Sequence, residues 1–295
     1  MTTAQAAEVL DVHESSIKRW CNEGLLQFEK TDGRHRRIHL ADLLAFSKKQ
    51  GNEARIARFH PYVVEVYEAV KEAGENGDPS SLIAVGKSFI DQGEFFHLKN
   101  LFHHVLEDPR LGKSFLFDRF FAPLMSSVGN QWEDGIVDVA VEHFVSECLS
   151  DALNFARYEA FRAPETSSRT ALVACSEGNW HSFGSKCAQI ILQAAGYCVH
   201  YLGVSTPYAD LARLMSRLRC RTLVLSFSRP QSLADIHRCL NILSDHHSAQ
   251  NPIALHIGAN FLTADFLASV ETSFPVSFHR TLASFETLLS RENPS

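Results

Sequence analysis

The apolar positions of this chain follow two different periods. Through residues 55–162 they recur every three or four residues. "FHPYVVEVYEAVKEA", "SSLIAVGKSFIDQG", "EFFHLKNLFHHVLE", "KSFLFDRFFAPLMSSVGNQW" and "VAVEHFVSECLSDALNFARYEAF" each place them on one face of a helix. "GENGDP" and "EDPRLG" interrupt the series as breakers. After a short polar linker, "APETSSR" at 163–169, the pattern becomes short continuous apolar runs. "TALVACS", "YCVHYLGV", "RTLVLSFS", "PIALHIG" and "PVSFH" read as strands, with amphipathic segments between them. Such alternation predicts βαβ units and a doubly wound parallel sheet over residues 170–290. Right-handed crossovers then bring the loops after the strands to one edge, where ligands bind.

The first fifty residues are patterned more finely. "TTAQAAEVLDVHESSIKRW" reads as helix, turn, helix. Thr3 is the expected cap of the first helix, and Ala6, Ala7 and Leu10 form its apolar face. Asp11 sits at the turn, and Ser15 and Ser16 open the second helix. Ile17 and Trp20 should point inward, which leaves Lys18 and Arg19 projecting outward toward a major groove. "GLLQFEKTDGRHRRIHL" reads as two strands around Asp32-Gly33, a wing whose Arg34, His35, Arg36 and Arg37 can neutralise phosphates. The competing reading is a small helical domain with a solvated basic loop.

Composition narrows the class. A chain of 295 residues with 45% hydrophobic content supports two or three globular domains. No run approaches the roughly 18 apolar residues of a membrane span. The N-terminus lacks the basic-then-apolar order of a signal peptide, so a cytoplasmic protein without a membrane partner is expected. Seven scattered cysteines without a CxxC indicate neither a zinc knuckle nor a redox pair. The net charge is −6, yet residues 1–50 hold eight Lys/Arg against seven Asp/Glu. A locally basic patch on an acidic chain is compatible with a DNA-binding head.

The loop "SEGNWHSFG" follows the first strand of the sheet and precedes "SKCAQIILQAAG". It lacks the glycines of a phosphate cradle and presents His181 instead. By residue type alone His181 is a surface histidine. The sharper reading is a metal ligand, an imidazole whose tautomer is fixed by a neighbouring side chain, with Gly184 allowing close approach of a flat cofactor. Upstream, Trp132 ends one helix, and Glu142 and His143 lie ten and eleven residues on, inside the next. A core tryptophan and a solvated helix face would also account for them.

Three resemblances bear on these alternatives. The order A-A-x-x-L-x-V-x-x-x-S-I-K-R-W, then G-L-L, then T-x-G-x-H-R-R-I over the first 45 residues resembles the MerR family of winged helix-turn-helix regulators. Asn179, His181 and Gly184 resemble the D-x-H-x-x-G signature of cobalamin-binding Rossmann-like (flavodoxin-like) domains, whose histidine binds cobalt from below. "YLGVSTP" at 201–207 resembles the end of the second strand in such domains. "LSFS" at 225–228, with Ser226 and Ser228, and "HIGAN" at 256–260, with Gly258 and Ala259, resemble the segments near the nucleotide tail. Trp132 with Glu142-His143 resembles the W-x9-E-H signature of the four-helix-bundle cap in light-responsive repressors of the CarH type.

The resemblance implies a multidomain α and α/β protein, with a MerR-type winged head (1–50), a helical-bundle cap (55–162) and a cobalamin-binding sheet domain (170–290). It implies a transcriptional regulator that is not an enzyme. Adenosylcobalamin would lie between cap and sheet, with His181 on cobalt and Trp132, Glu142 and His143 around the adenosyl group. Light would cleave the Co–C bond, and a homo-oligomer bound to a double-stranded DNA operator would come apart. The pattern departs at Asn179, where relatives carry an acid, at Ala259, where they carry a second glycine, and at Glu133, where some carry a histidine. These departures leave open another cobalamin form, haem or a bilin as ligand. A corrinoid carrier of a methyltransferase or mutase system is the reading from another class.

Overall fold

The structure is a computed structural model. It describes residues 1–10, 12–31, 33, 35–50, 58–160, 169–228, 232–248 and 252–292. The chain forms two compact units, Met1–Val105 and Leu106–Ser295.

The first unit opens with α1 (Thr3–Val9) and α2 (Glu14–Asn22), followed by a two-stranded antiparallel wing of β1 (Glu29–Lys30) and β2 (Arg36–Arg37). The cap of α1 is Thr2, not Thr3. Thr2 Oγ1 accepts from Gln5 N at 3.1 Å, and the Gln5 side chain accepts from Thr2 N at 2.8 Å, a reciprocal capping box. Thr3 is already helical, and its hydroxyl donates to Glu14 Oε1 across the turn at 2.6 Å. Ala6, Ile17, Leu26, Ile38 and Leu43 close a small core, with Trp20 half-buried against Phe46. Leu43 and Phe46 come from α3 (Leu40–Lys49), a helix that the sequence pattern does not separate from the wing. Three further helices follow, α4 (Val63–Asn76), α5 (Ser80–Asp91) and α6 (Phe95–Glu107). They match three of the five helical segments expected from the apolar period. The head is tied to α4 by the Tyr67 hydroxyl, which donates to Glu8.

In the second unit the expected helix 113–132 is broken into α7 (Lys113–Phe115), a π-helical turn (Leu116–Phe121) and α8 (Ala122–Glu133). Pro123 has no N–H to continue the ladder, and the wider π turn accommodates the loss. The turn buries Phe117, Phe120 and Phe121 and leaves Asp118 half-buried. Helix α9 (Val139–Ala160) completes the helical part.

All five expected strands form: β3 (Thr170–Cys175), β4 (Cys198–Gly203), β5 (Thr222–Ser226), β6 (Ala254–Gly258) and β7 (Val276–His279). They pair in the order β4-β3-β5-β6-β7, every pair parallel. Helices α10 (Phe183–Ala194), α11 (Tyr208–Leu218), α12 (Ser232–Ser244), α13 (Ala264–Ser269) and α14 (Leu282–Glu292) cover it. The chain passes from β3 outward to β4 and then back to β5, so the strand order reverses between β3 and β5. A crevice opens outside the carboxyl ends of the strands at such a reversal. The register lines up Cys175, Ser226, Gly258 and His279 at that edge.

Two features fasten the helical part to the sheet. Asp118 accepts from the backbone N–H groups of Leu282 and Ala283 at 2.9 and 2.8 Å, a tertiary cap on α14 where the helix dipole favours a carboxylate. Lys186 of α10 donates to the hydroxyl of Ser150 on α9.

Beneath the β6–β7 edge lie two buried histidines. His256 and His279 are diagonal neighbours on one face, with Nδ1 and Nε2 3.3 Å apart and Phe285 edge-on to both rings. Burial, with the neighbouring His279, pushes His256 down to about 4, and burial pushes His279 down to about 4. Both are therefore neutral in the fold, whereas the unfolded chain takes up protons below about 6.5. Stability should be full above pH 6.5 and fall as the pH drops from 6.5 toward 4, by up to about 1.4 kcal/mol per pH unit for each imidazole. Denaturant titrations of the full chain at pH 7, 6 and 5 check this. A flat profile, or an imidazole NMR titration near 6.5, would contradict it.

Candidate functional site

The loop after β3 is held from several sides. Ser176 N donates to the Ser226 carbonyl at 3.0 Å, at the strand reversal itself. Glu177 meets Arg238 of α12 at 3.2 Å, and the Arg238 guanidinium lies over the buried Tyr208 ring and also pairs with Asp235. Gly178 N donates to Ser205 Oγ, and Ser205 N donates back to the Asn179 carbonyl, both at 3.0 Å. Ser205 reaches this position through a left-handed backbone, φ 49°, just after β4.

Asn179 is the centre of the loop. Its side chain is buried, and its amide donates to the Ser226 carbonyl at 2.9 Å. Its Oδ1 accepts from the backbone N–H of His181 at 3.0 Å and from Ser228 Oγ at 2.7 Å. The expectation that Asn179 fixes the imidazole tautomer is therefore corrected: these bonds go to the His181 backbone and to the end of β5. A Cβ at Gly184 would meet the Ser226 hydroxyl at 2.8 Å, so the missing side chain leaves room for that group at the end of β5. Ser226, Gly258 and Ala259 stand at the strand ends, with Phe227 N donating to Gly258 O and Ala259 N to His279 O, each at 2.9 Å.

On this fixed loop His181 and Trp180 are exposed, Trp180 at 72%. The structure brings Glu142 and His143, near the start of α9, toward the same loop. Glu142 Oε2 lies 2.6 Å from His143 Nδ1, and Ser146 Oγ donates to its Oε1 at 2.8 Å. Burial raises the Glu142 carboxyl. The hydrogen bonds from His143 and Ser146 and the nearby His143 and His181 rings outweigh it and hold the carboxyl below its usual value. Trp132 is not a core residue. It ends α8 half-exposed, next to the tight turn at Gly135 (φ 70°), with exposed Ile136 and Val139 beyond. Among the described residues no group of three His, Cys, Asp or Glu gathers as a metal site. Glu177, Ser205 and Arg238 are not singled out by the sequence, since Ser205 meets Gly178 from 27 positions away and Glu177 meets Arg238 from 61.

In the head, Lys18, Arg19 and Ser15 are exposed on α2 and Ser16 is half-buried. His13 caps α2, its ring accepting from Ser15 N. Lys18 pairs with Glu14 at 2.9 Å, one turn back. His35 and Arg37 are exposed on the wing, and Arg36 is half-buried. Asp11, Asp32 and Arg34 lie outside the described residues.

Known families match two stretches of the N-terminal part of the chain. A helix-turn-helix domain model matches residues 1–51, and a B12 binding domain model matches residues 97–156, across α6 to α9. The HTH-type transcriptional repressor CarH of Myxococcus xanthus is 33% identical over 127 residues, which is 43% of this chain and 42% of that protein. The aligned stretch thus spans less than half of the relative. In fold, the chain is similar to the monomethylamine corrinoid protein of Methanosarcina barkeri, with a TM-score of 0.54 and 13% identity over 70% of this chain and 96% of the other. The chain is therefore a multidomain α and α/β protein with a helix-turn-helix domain and a B12-binding domain. Among the described residues, no helix is long and apolar enough to cross a membrane.

The geometry of Asn179 fixes the outcome of giving it the acid of the D-x-H-x-x-G pattern. An ionised aspartate at this position would lose the N–H to the Ser226 carbonyl and set a buried carboxylate against it. Asn179→Asp should destabilise the second unit by about 2 kcal/mol at pH 7. Thermal or denaturant unfolding of the variant checks this, and unchanged stability would show that the loop is not held by this amide.

Proposed function

We propose that this protein is a cobalamin-dependent transcriptional repressor of the MerR type that acts as a light sensor. The observation that carries the reading is the union, in one chain, of a helix-turn-helix domain over residues 1–51 and a B12-binding domain over residues 97–156 that carries Glu142, with the His181 loop of the sheet close enough to act on that carboxylate. The similarity to a CarH repressor supports the same reading.

The donor set fits a corrinoid. An exposed imidazole on a rigid loop can hold cobalt, and the exposed Trp132, Ile136 and Val139 offer apolar surface for a large ligand. His181 is the residue that would hold the metal. Trp132, Glu142 and His143 would pack around the upper ligand, and Ser226, Ser228, Gly258 and Ala259 would lie beside the tail. Adenosylcobalamin, when bound, supplies a cobalt–carbon bond that visible light breaks. What the chain contributes is position. Trp132 and the Glu142–His143 pair report whether the upper ligand is present, and α9 carries that report to the sheet through α10. Assembly of copies, with several heads on neighbouring DNA sites, would turn this local change into a large change in occupancy by avidity.

Purified chain mixed with adenosylcobalamin in the dark should retain a corrinoid absorption spectrum after desalting. A colourless protein would sink the cobalamin reading, and a haem or bilin spectrum in the native protein would replace it. His181→Ala should lower affinity by at least the roughly 10- to 100-fold typical of losing an outer-shell partner. Trp132→Ala should weaken adenosylcobalamin more than a cobalamin with a small upper ligand. In sedimentation, green light should reduce the mass of the dark assembly, and an unchanged mass would remove the disassembly step. The fold likeness to a corrinoid protein favours a carrier as the second reading. It would stand if the full chain bound corrinoid but enriched no DNA from a random pool.

A further inference from the structure

The basic residues of the wing are not equivalent. Arg36 and Arg37 are consecutive in β2, so their side chains leave opposite faces of the strand. Arg37 is exposed to solvent. Arg36 turns back toward α2, where its Nη2 donates to Asn22 Oδ1 at 2.6 Å. Its guanidinium also lies over the Phe28 ring, 5.2 Å from the centroid. Asn22 is the last residue of α2, so the cation rests beside a helix carboxyl end, where the dipole favours it. One guanidinium thus joins the helix, the segment leading into the wing and the wing itself. Lys18 differs, since its ion pair with Glu14 stays within α2.

We propose that Arg36 is a positioning residue. It sets the angle of the wing against α2 and leaves phosphate contact to Arg37. A planar cation suits this role because it can stack on Phe28 and hydrogen-bond Asn22 together. The proposal rests on the reading of the head as DNA-binding.

The test uses the full chain and a 40-base-pair duplex that the wild type enriches from a random pool. Binding is followed by anisotropy against salt and by hydroxyl-radical footprinting. Arg37→Gln should lower the slope of log Kobs against log salt by about 0.9, the signature of one lost phosphate contact. Arg36→Gln should weaken binding about tenfold with the slope unchanged, as expected when a hydrogen bond from a charged group is lost without a phosphate contact. Its footprint should lose protection only in the flank beneath the wing and keep it where α2 lies. Asn22→Ala should give the same footprint, and combining it with Arg36→Gln should add little further loss. A folding defect would thin protection everywhere alike, and that result overturns the proposal. So does a slope that falls for Arg36→Gln as it does for Arg37→Gln. A wild type that enriches no duplex overturns the DNA-binding reading itself, and the proposal with it.

Discussion

The buried amide of Asn179 is the constraint on which the candidate site depends. One side chain donates to the end of β5 and accepts from the loop backbone and from Ser228. Each bond is worth about 1 kcal/mol net, but leaving any of these buried groups unpaired costs more. These bonds hold the loop in the conformation that carries His181 outward. Gly184 belongs to the same arrangement, since a side chain there would crowd the Ser226 hydroxyl in its present rotamer. A ligand-holding residue is most effective on a support that does not move, and here the support is the strand reversal of the sheet.

The helical part of the second unit is joined to that support through specific polar contacts rather than apolar packing alone. Asp118 projects from the π turn onto the start of α14, and Lys186 reaches Ser150 across the α9–α10 contact. His181 lies close enough to Glu142 to contribute, after His143 and Ser146, to holding that carboxyl below its usual value. A change at the start of α9 therefore has a short physical route to the sheet, through one helix pair and one capped helix end. The His256–His279 pair sits at the far end of the same layer, packed on Phe285 of α14.

Much of the architecture was legible because burial leaves a simple pattern. Strands covered on both faces must be apolar through their buried length, and "ALVAC" is, which is why β3 was legible to within a residue of its end. Helices covered on one face keep a 3.6-residue period, and α4, α5 and α6 show it. Where two solutions have nearly equal local energy, the pattern does not discriminate. Thr2 and Thr3 are both competent caps, and the choice fell to the one whose third neighbour, Gln5, could return the hydrogen bond. The π turn was invisible because Pro123 announces a broken ladder without saying how the chain absorbs it. The wing arginines looked alike in sequence, and only the alternation of β2 against α2 separates them.

The sequence by itself determined the five strands of the sheet, most of the helices and the residue types available at the sheet edge, because these follow from local period and from side-chain chemistry. Tertiary structure alone decided what those residues do to one another. The parallel register put Cys175, Ser226 and Gly258 in one row, and the reversal between β3 and β5 gave Asn179 a carbonyl 47 residues away to bond. An asparagine that read as the partner of an imidazole became the brace of a loop, because a buried amide must satisfy its own polar atoms before it can serve a neighbour.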